Sequence, residues 1–291
     1  MSALFNKFSG FIYGIISSAT FGLIPLFAVP ILNSGMGFMS VLLYRFTLAT
    51  IALALLLVVR RESFKISFND FLPLLFLAIL YQISSVFLLW GYLFMPSGIA
   101  TTLHFMYPVI TTILMMLLFR EKKSLWRMFA ILMAVSGVYF LSDTSGGNDM
   151  SFLGIAIVLI SAIGYASYLV TIGQLRNFKV RGLKLTFYVF LTGTIMLLIG
   201  MSATHTIEPI EHTDTMINLL LLAIIPTIIS NLTLIEAIKR IGSTLTSVLG
   251  AMEPVTAVAV GIVAFGDTLT TAITTGIVLI ISAVTIIILK R

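Results

Sequence analysis

Apolar windows of a length that crosses a hydrocarbon core follow one another along the chain. They fall at residues 8–30, 37–59, 71–94, 98–119, 125–142, 152–174, 183–203, 216–238, 242–265 and 271–289. A helix of about 20 apolar residues spans a bilayer, so the pattern predicts ten transmembrane helices. The fifth window is short, and the links after the third and eighth are only a few residues. The longest links, Ser142–Asp149 and Thr204–Thr215, are polar and too small for a separate soluble domain. The first apolar run continues to about Leu32 with no small-x-small cleavage site, which predicts an uncleaved span and not a signal peptide. The expected architecture is all-α, with five helices in residues 1–145 and five in residues 146–291.

The two halves share a motif. Met95-Pro96-Ser97-Gly98 leads through Tyr107-Pro108-Val109 to Phe119-Arg120-Glu121, and Ile241-Gly242-Ser243-Thr244 leads through Glu253-Pro254-Val255 to Phe265-Gly266-Asp267. At an offset of 146 residues Ser97 falls on Ser243, Met106 on Met252, Pro108 on Pro254 and Phe119 on Phe265. An acid follows the proline by 13 residues in both copies. A duplication with a proline inside a membrane helix of each copy points to a transporter.

Composition narrows the class. The chain is 59% hydrophobic and 10% charged, with a mean hydropathy of +1.13. Soluble domains carry about 25% charged residues, so a soluble globular protein is excluded. There are no cysteines, hence no disulfide, thiolate metal site or cysteine nucleophile.

The net charge of +6 is distributed by side. Lys7, Arg60, Arg61, Lys65, Arg120, Lys122, Lys123, Arg127, Arg176, Lys179, Arg181, Lys184, Lys239, Arg240, Lys290 and Arg291 all fall on the face of the N-terminus if there are ten spans. The opposite links carry Asp143, Asp149, His205, Glu208, Glu211, His212, Asp214 and Asp267. The positive-inside rule then puts both termini in the cytoplasm, and the basic excess needs no nucleic-acid partner. Five helices is an odd number, so the second half enters the membrane from the other side and the repeats are inverted.

Two five-helix halves, each with a proline in its fourth helix followed by Glu or Asp, resemble the EamA-type family of the drug/metabolite transporter superfamily. The resemblance covers essentially the whole chain. It implies a ten-helix inner-membrane transporter with a cavity lined by spans 1–4 and 6–9, which moves amino acids, other small metabolites or drugs by export or exchange. The first half departs from the second at Tyr107, which stands where the second half has Glu253.

Ionisable residues inside the spans are the first candidates for a site. Glu253 lies about 11 residues, roughly 16 Å, into span nine. It either binds substrate or a coupling proton, or it is a structural carboxyl paired with another helix. Arg45 lies about 8 residues, roughly 12 Å, below the outer end of span two. Its depth suits an interaction with Glu253, direct or through a carboxylate-bearing substrate; the alternative is an arginine that snorkels outward.

Thr101, His104, Tyr107, Pro108 and Thr111 form one polar stripe on span four, matched on span nine by Ser247, Gly250, Glu253, Pro254 and Ala257. His104 is either a proton relay or an interhelical hydrogen-bonder. Pro108 and Pro254 each free a backbone carbonyl and act as hinges or cavity linings, or else as static kinks. Pro25 and Pro226 are weaker cases.

Gln82 and Ser85 on span three answer Ser230 and Asn231 on span eight, and Ser161, Tyr165 and Tyr168 line span six. Glu236 is expected to pair with Lys239 and Arg240, and Gly10-x-x-x-Gly14 to pack closely on another helix. The expected substrate site comprises Arg45, Gln82, His104, Tyr107, Tyr165, Tyr168, Asn231 and Glu253, with no catalytic residue, metal or cofactor.

Other classes fit less well. There is no His-Glu-x-x-His and no phosphate-cradling loop for an enzyme. A channel filter needs a ring of repeated polar groups. A receptor or scaffold has no use for buried charges. The expectation is a secondary active transporter of small amphiphilic metabolites or amino acids, an exporter or exchanger working by alternating access in the cell membrane, with protons a possible coupling ion.

Overall fold

The computed structural model describes residues 2–94, 97–119, 125–142, 152–175, 180, 182–204, 207–265 and 271–289. The acids that close the two motifs, Glu121 and Asp267, lie outside the described residues. So do Asp143, Asp149 and His205, and the link cations Arg120, Lys122, Lys123, Arg176, Lys179, Arg181, Lys290 and Arg291. Among the described residues the regular structure is entirely helical. The first half holds α1 (Ser2–Phe21), α2 (Ile24–Asn33), α3 (Phe38–Val59), α4 (Phe68–Gly91), α5 (Ser97–His104), α6 (Tyr107–Leu118) and α7 (Leu125–Ser142). The second holds α8 (Phe152–Gln174), α9 (Gly182–Thr204), α10 (Thr213–Ala223), a π-helical turn (Ile224–Ile229), α11 (Ser230–Ile241), α12 (Ser243–Leu249), α13 (Met252–Phe265) and α14 (Thr271–Leu289).

Seven stretches among the described residues are long and apolar enough to cross a membrane: Lys7–Asn33, Phe38–Val59, Phe68–Gly91, Phe152–Gln174, Gly182–Ser202, Thr213–Ile241 and Ser243–Ala264. They coincide with windows one to three and six to nine. Windows four, five and ten hold the shorter apolar segments Tyr107–Leu118, Met128–Gly137 and Thr274–Ala283. Large apolar side chains such as Leu55, Val59, Leu117, Leu132, Ile199 and Val263 point outward, as a protein solvated by lipid requires.

Inside, α1 packs along α11, α4 along α8, α3 along α9 and α7 along α14. Small residues let these backbones approach, because lipid gives helices no hydrophobic reason to associate and close packing must do so instead. A Cβ on Gly137 of α7 would lie 2.8 Å from the Gly276 carbonyl oxygen of α14. Gly10 and Gly14 face Ile241 and Leu249 in the same way, the close packing expected of that pair. Glu236 meets Lys239 at 3.6 Å and Arg240 at 3.2 Å, the pairing expected of it.

The prolines do more than kink. The fourth window is interrupted at Phe105–Met106 and the ninth at Gly250–Ala251, so Pro108 and Pro254 sit in the first turn of a new half-helix. There the missing N–H is one that would have had no intrahelical partner. Tight bonds turn the chain at both places: Val109 N–H donates to the Met106 carbonyl at 3.1 Å, and Glu253 N–H to the Gly250 carbonyl at 2.8 Å. Pro25 follows a similar break at Gly22–Leu23, and Pro226 lies in the π-helical turn. A proline cannot continue the α-helical ladder, and π turns absorb such a defect.

Candidate functional site

Glu253 opens α13 and is 2% exposed. Gly250, one turn back, has no side chain, and the Tyr107 phenol of α6 occupies the vacated space; a Cβ there would lie 1.5 Å from the Tyr107 hydroxyl. That hydroxyl donates to Glu253 Oε1 at 2.8 Å. Tyr107 and Glu253 stand at the same place in the two repeats, 146 residues apart. The other carboxylate oxygen, Oε2, is buried with no partner. Gly22, at the break of the first window, abuts the Glu253 carbonyl, where a Cβ would approach to 2.4 Å.

Arg45 is 1% exposed, so it does not snorkel to the surface. Its Nε donates to Thr227 Oγ1 at 2.6 Å, and Thr227 in turn donates to the Leu222 carbonyl at 2.7 Å within the π-helical region. The guanidinium carbon lies 5.6 Å from the centroid of the Phe46 ring, and Nη2 is buried with no partner. No ion pair joins Arg45 to Glu253. Of the two forms of interaction expected, the direct one is not made: similar depth did not place the two side chains in contact, because each is turned to a partner on a different helix, Thr227 for Arg45 and Tyr107 for Glu253.

A column of aromatic rings runs between them. Tyr107 meets Tyr165 edge-on at 4.7 Å, and Tyr165 stacks beside Tyr168 at 6.3 Å. Tyr168 meets Tyr81 at 5.2 Å, and Tyr81 leads to Phe190 at 5.4 Å and Phe46 at 5.9 Å. Phe21 stacks on Tyr165 at 5.6 Å. Of these, Phe21, Phe46, Tyr81 and Phe190 escaped the sequence reading, since a buried aromatic has no local signature that separates lining from packing. Thr227 escaped it too, although its place beside Pro226 in the middle of a span was an available signal.

His104 Nδ1 lies 3.0 Å from Ser161 Oγ, whose single hydrogen goes to the Ser84 carbonyl at 2.6 Å. Ser161 can therefore only accept from the histidine, which carries its proton on Nδ1 and presents Nε2 as a buried acceptor with no partner. The contact is an interhelical hydrogen bond between α5 and α8. Asn231 Nδ2 donates to Tyr81 OH and to the Thr227 carbonyl, both at 2.9 Å, and its Oδ1 has no partner.

Gln82 departs from the expected cluster. Its Nε2 donates to the Gly193 carbonyl of α9 at 2.6 Å, and it lines a separate cavity of about 320 Å³ with Met39, Val86, Met196, Leu197 and Met201. A neighbour of Tyr81 in sequence, it is turned away from the column by the rotation of about 100° per residue in a helix.

The arrangement suits binding. Arg45 Nη2 offers a donor, while Glu253 Oε2, Asn231 Oδ1 and His104 Nε2 offer acceptors, all against aromatic walls. Among the described residues no three His, Asp or Glu side chains group to hold a metal ion.

A multi-pass, all-helical membrane protein with a buried polar centre is the class that fold and site define. The EamA-like transporter family model matches residues 8–143 and again residues 152–289. The chain belongs to that family. Among curated proteins it is 33% identical over 111 residues to an uncharacterized transporter of Synechocystis sp., a match covering 38% of this chain and 31% of the relative. It is 28% identical over 155 residues to an uncharacterized transporter of Archaeoglobus fulgidus, covering 53% of each. A third, an uncharacterized transporter of Acidianus ambivalens, is 28% identical over 135 residues, covering 46% of this chain and 49% of the relative. The chain thus spans from under a third to about half of the length of these relatives. A solved crystal structure superposes with a TM-score of 0.83 over 96% of both chains at 15% identity, a likeness of fold alone.

Proposed function

We propose that the chain is a secondary active transporter that exports or exchanges small amphiphilic metabolites or amino acids, in a cell membrane with both termini cytoplasmic. Ten crossings form two inverted repeats, residues 1–145 and 146–291, which alternate access to a site between them. The observation that carries this reading is the pair of fully buried ionisable side chains at the two ends of one aromatic column, each with an atom left without a partner. A purely structural ion pair would close on itself. Arg45 takes a substrate carboxylate, and Glu253 takes an amine or a coupling proton.

Contacts between matching residues support the inverted repeats, because a two-fold axis brings a residue on it against its own mate. Tyr107 bonds to Glu253, and Phe46 stacks on Phe190 at 5.5 Å, 144 residues further along. The half-helix breaks before Pro108 and Pro254 support a central site, since irregular backbone at membrane depth is tolerated where it faces protein or a wet cavity.

Reconstitution into liposomes with an imposed pH gradient and a mixed metabolite pool tests the reading. Uptake or exchange of an amphiphilic solute is expected; no uptake, exchange or pH coupling for any solute would favour a receptor or scaffold. Arg45→Met gives a second test. It is expected to leave the thermal midpoint unchanged or raise it, because a buried charge without a counter-ion costs more than an apolar side chain of similar volume. Exchange of a carboxylate-bearing solute should be lost in the same variant. Unimpaired exchange would remove Arg45 from the site.

A further inference from the structure

Two links are fastened to the starts of α3 and α9 by the same kind of contact. Tyr44, the seventh residue of α3, donates its hydroxyl to the Glu208 backbone carbonyl at 2.6 Å. The Glu208 carboxylate accepts from Gly37 N–H, and Glu208 N–H donates to Ser40 Oγ at 3.3 Å. Link 207–212 is thereby pinned across the start of α3. Tyr188, the seventh residue of α9, donates its hydroxyl to the Phe64 carbonyl, and Lys184 donates to the Lys65 carbonyl. The Phe64 ring meets Phe187 edge-on at 5.5 Å. Link 60–67 is thereby pinned across the start of α9.

The principal residues correspond in three pairs. A displacement of 144 residues takes Ser40 to Lys184, Tyr44 to Tyr188 and Phe64 to Glu208, and it also takes Phe46 to Phe190, which stack on each other. The surrounding charges separate the two fastenings by side: Arg60, Arg61, Lys65 and Lys184 surround one, and Glu208, Glu211 and Asp214 the other.

We infer that these are the two gates of the transporter, a cytoplasmic latch made by Tyr188 and Lys184 and an outer latch made by Tyr44, Ser40 and Gly37 on Glu208. The inference rests on the alternating-access reading and names the contacts that close each side. Both latches are formed in this structure, in agreement with the burial of Arg45 and Glu253. Each consists of a few hydrogen bonds involving backbone, with no charge fully buried on closing, so either can open without disturbing the centre. The chemistry differs between the sides. The outer latch sets a carboxylate on the N–H of Gly37, the N-cap of α3, where the helix dipole favours it, and the inner latch sets an ammonium on a carbonyl.

The test uses the absence of native cysteine. A single reporter, Ser85→Cys, stands beside the Tyr81 hydroxyl in the column. It is labelled with a membrane-impermeant maleimide in sealed right-side-out and inverted vesicles. Tyr44→Phe is expected to raise labelling from the outer face roughly two- to tenfold, the effect of one hydrogen bond on a two-state equilibrium, and to lower it from the cytoplasmic face. Tyr188→Phe should do the reverse, and the double variant should return the ratio between faces to that of the parent. Glu208→Ala, which removes the acceptor for Gly37 N–H, should copy the first variant and Lys184→Met the second. Changes equal on both faces, or none in either tyrosine variant, would overturn the latches. Labelling needs no solute, so sided labelling without any solute exchange sinks the transporter reading and spares the latches. Exchange with unsided labelling sinks the latches alone.

Discussion

Replacing Glu253 by Gln is expected to cut solute exchange by about tenfold to a hundredfold while leaving the folded protein intact. Glutamine keeps a carbonyl that can accept from the Tyr107 hydroxyl, so the contact at 2.8 Å across the two halves survives. What disappears is the charge at Oε2, the atom with no protein partner. A hydrogen bond to a charged group is worth about 1.5–3 kcal/mol, which sets the size of the loss. Stability should hold or rise, since burying an amide costs less than burying a carboxylate. Proteoliposome counterflow and a thermal unfolding curve separate the two effects. Normal exchange in the Gln variant would make Glu253 a structural carboxyl.

Gly250→Ala is expected to destabilise the protein strongly for a single added methyl. The added Cβ would overlap the Tyr107 hydroxyl at 1.5 Å and its ring carbon Cζ at 2.7 Å. The phenol is wedged against Tyr165, Phe105 and His104, at ring distances of 4.7, 5.6 and 5.5 Å. Overpacking a core costs about 1–3 kcal/mol. If the ring is expelled, Glu253 also loses its donor, at a further cost of about 1–3 kcal/mol. In a Tyr107→Ala background the same substitution should be nearly neutral, a coupling of about 0.5–3 kcal/mol between the two sites. Thermal midpoints of the four purified proteins measure it. An equal cost in both backgrounds would mean that the phenol is not what fills the glycine's space.

The two substitutions show how differently parts of the site could be read from the chain. Glu253 and Pro254 announced themselves, an acid and a proline in an apolar run, and the repeat made Tyr107 their counterpart. Gly250 was legible only as a gap in a polar stripe. That the Tyr107 ring fills it required both half-helices to be set in space. His104 was visible as a lone membrane histidine, but its protonated nitrogen follows from Ser161 and Ser84 on two other helices. Gln82 had the right depth and chemistry for the cluster and still lies outside it, bonded to Gly193.

Sequence by itself determined what depends on one dimension. Hydropathy along the chain marks the apolar windows, an offset of 146 marks the duplication, and the side distribution of lysine and arginine predicts orientation. These are sums over neighbours or comparisons at fixed spacing, and they need no knowledge of which helix faces which. The tertiary structure decided the partnerships: Arg45 with Thr227 and not Glu253, Glu253 with Tyr107, and Tyr44 and Tyr188 with links in the opposite half. In a helix each residue turns the side chain by about 100°, and in a bundle the rotation of every helix is set by packing against its neighbours. Depth in the membrane can be counted from the chain, whereas direction is decided only when the two halves close on each other.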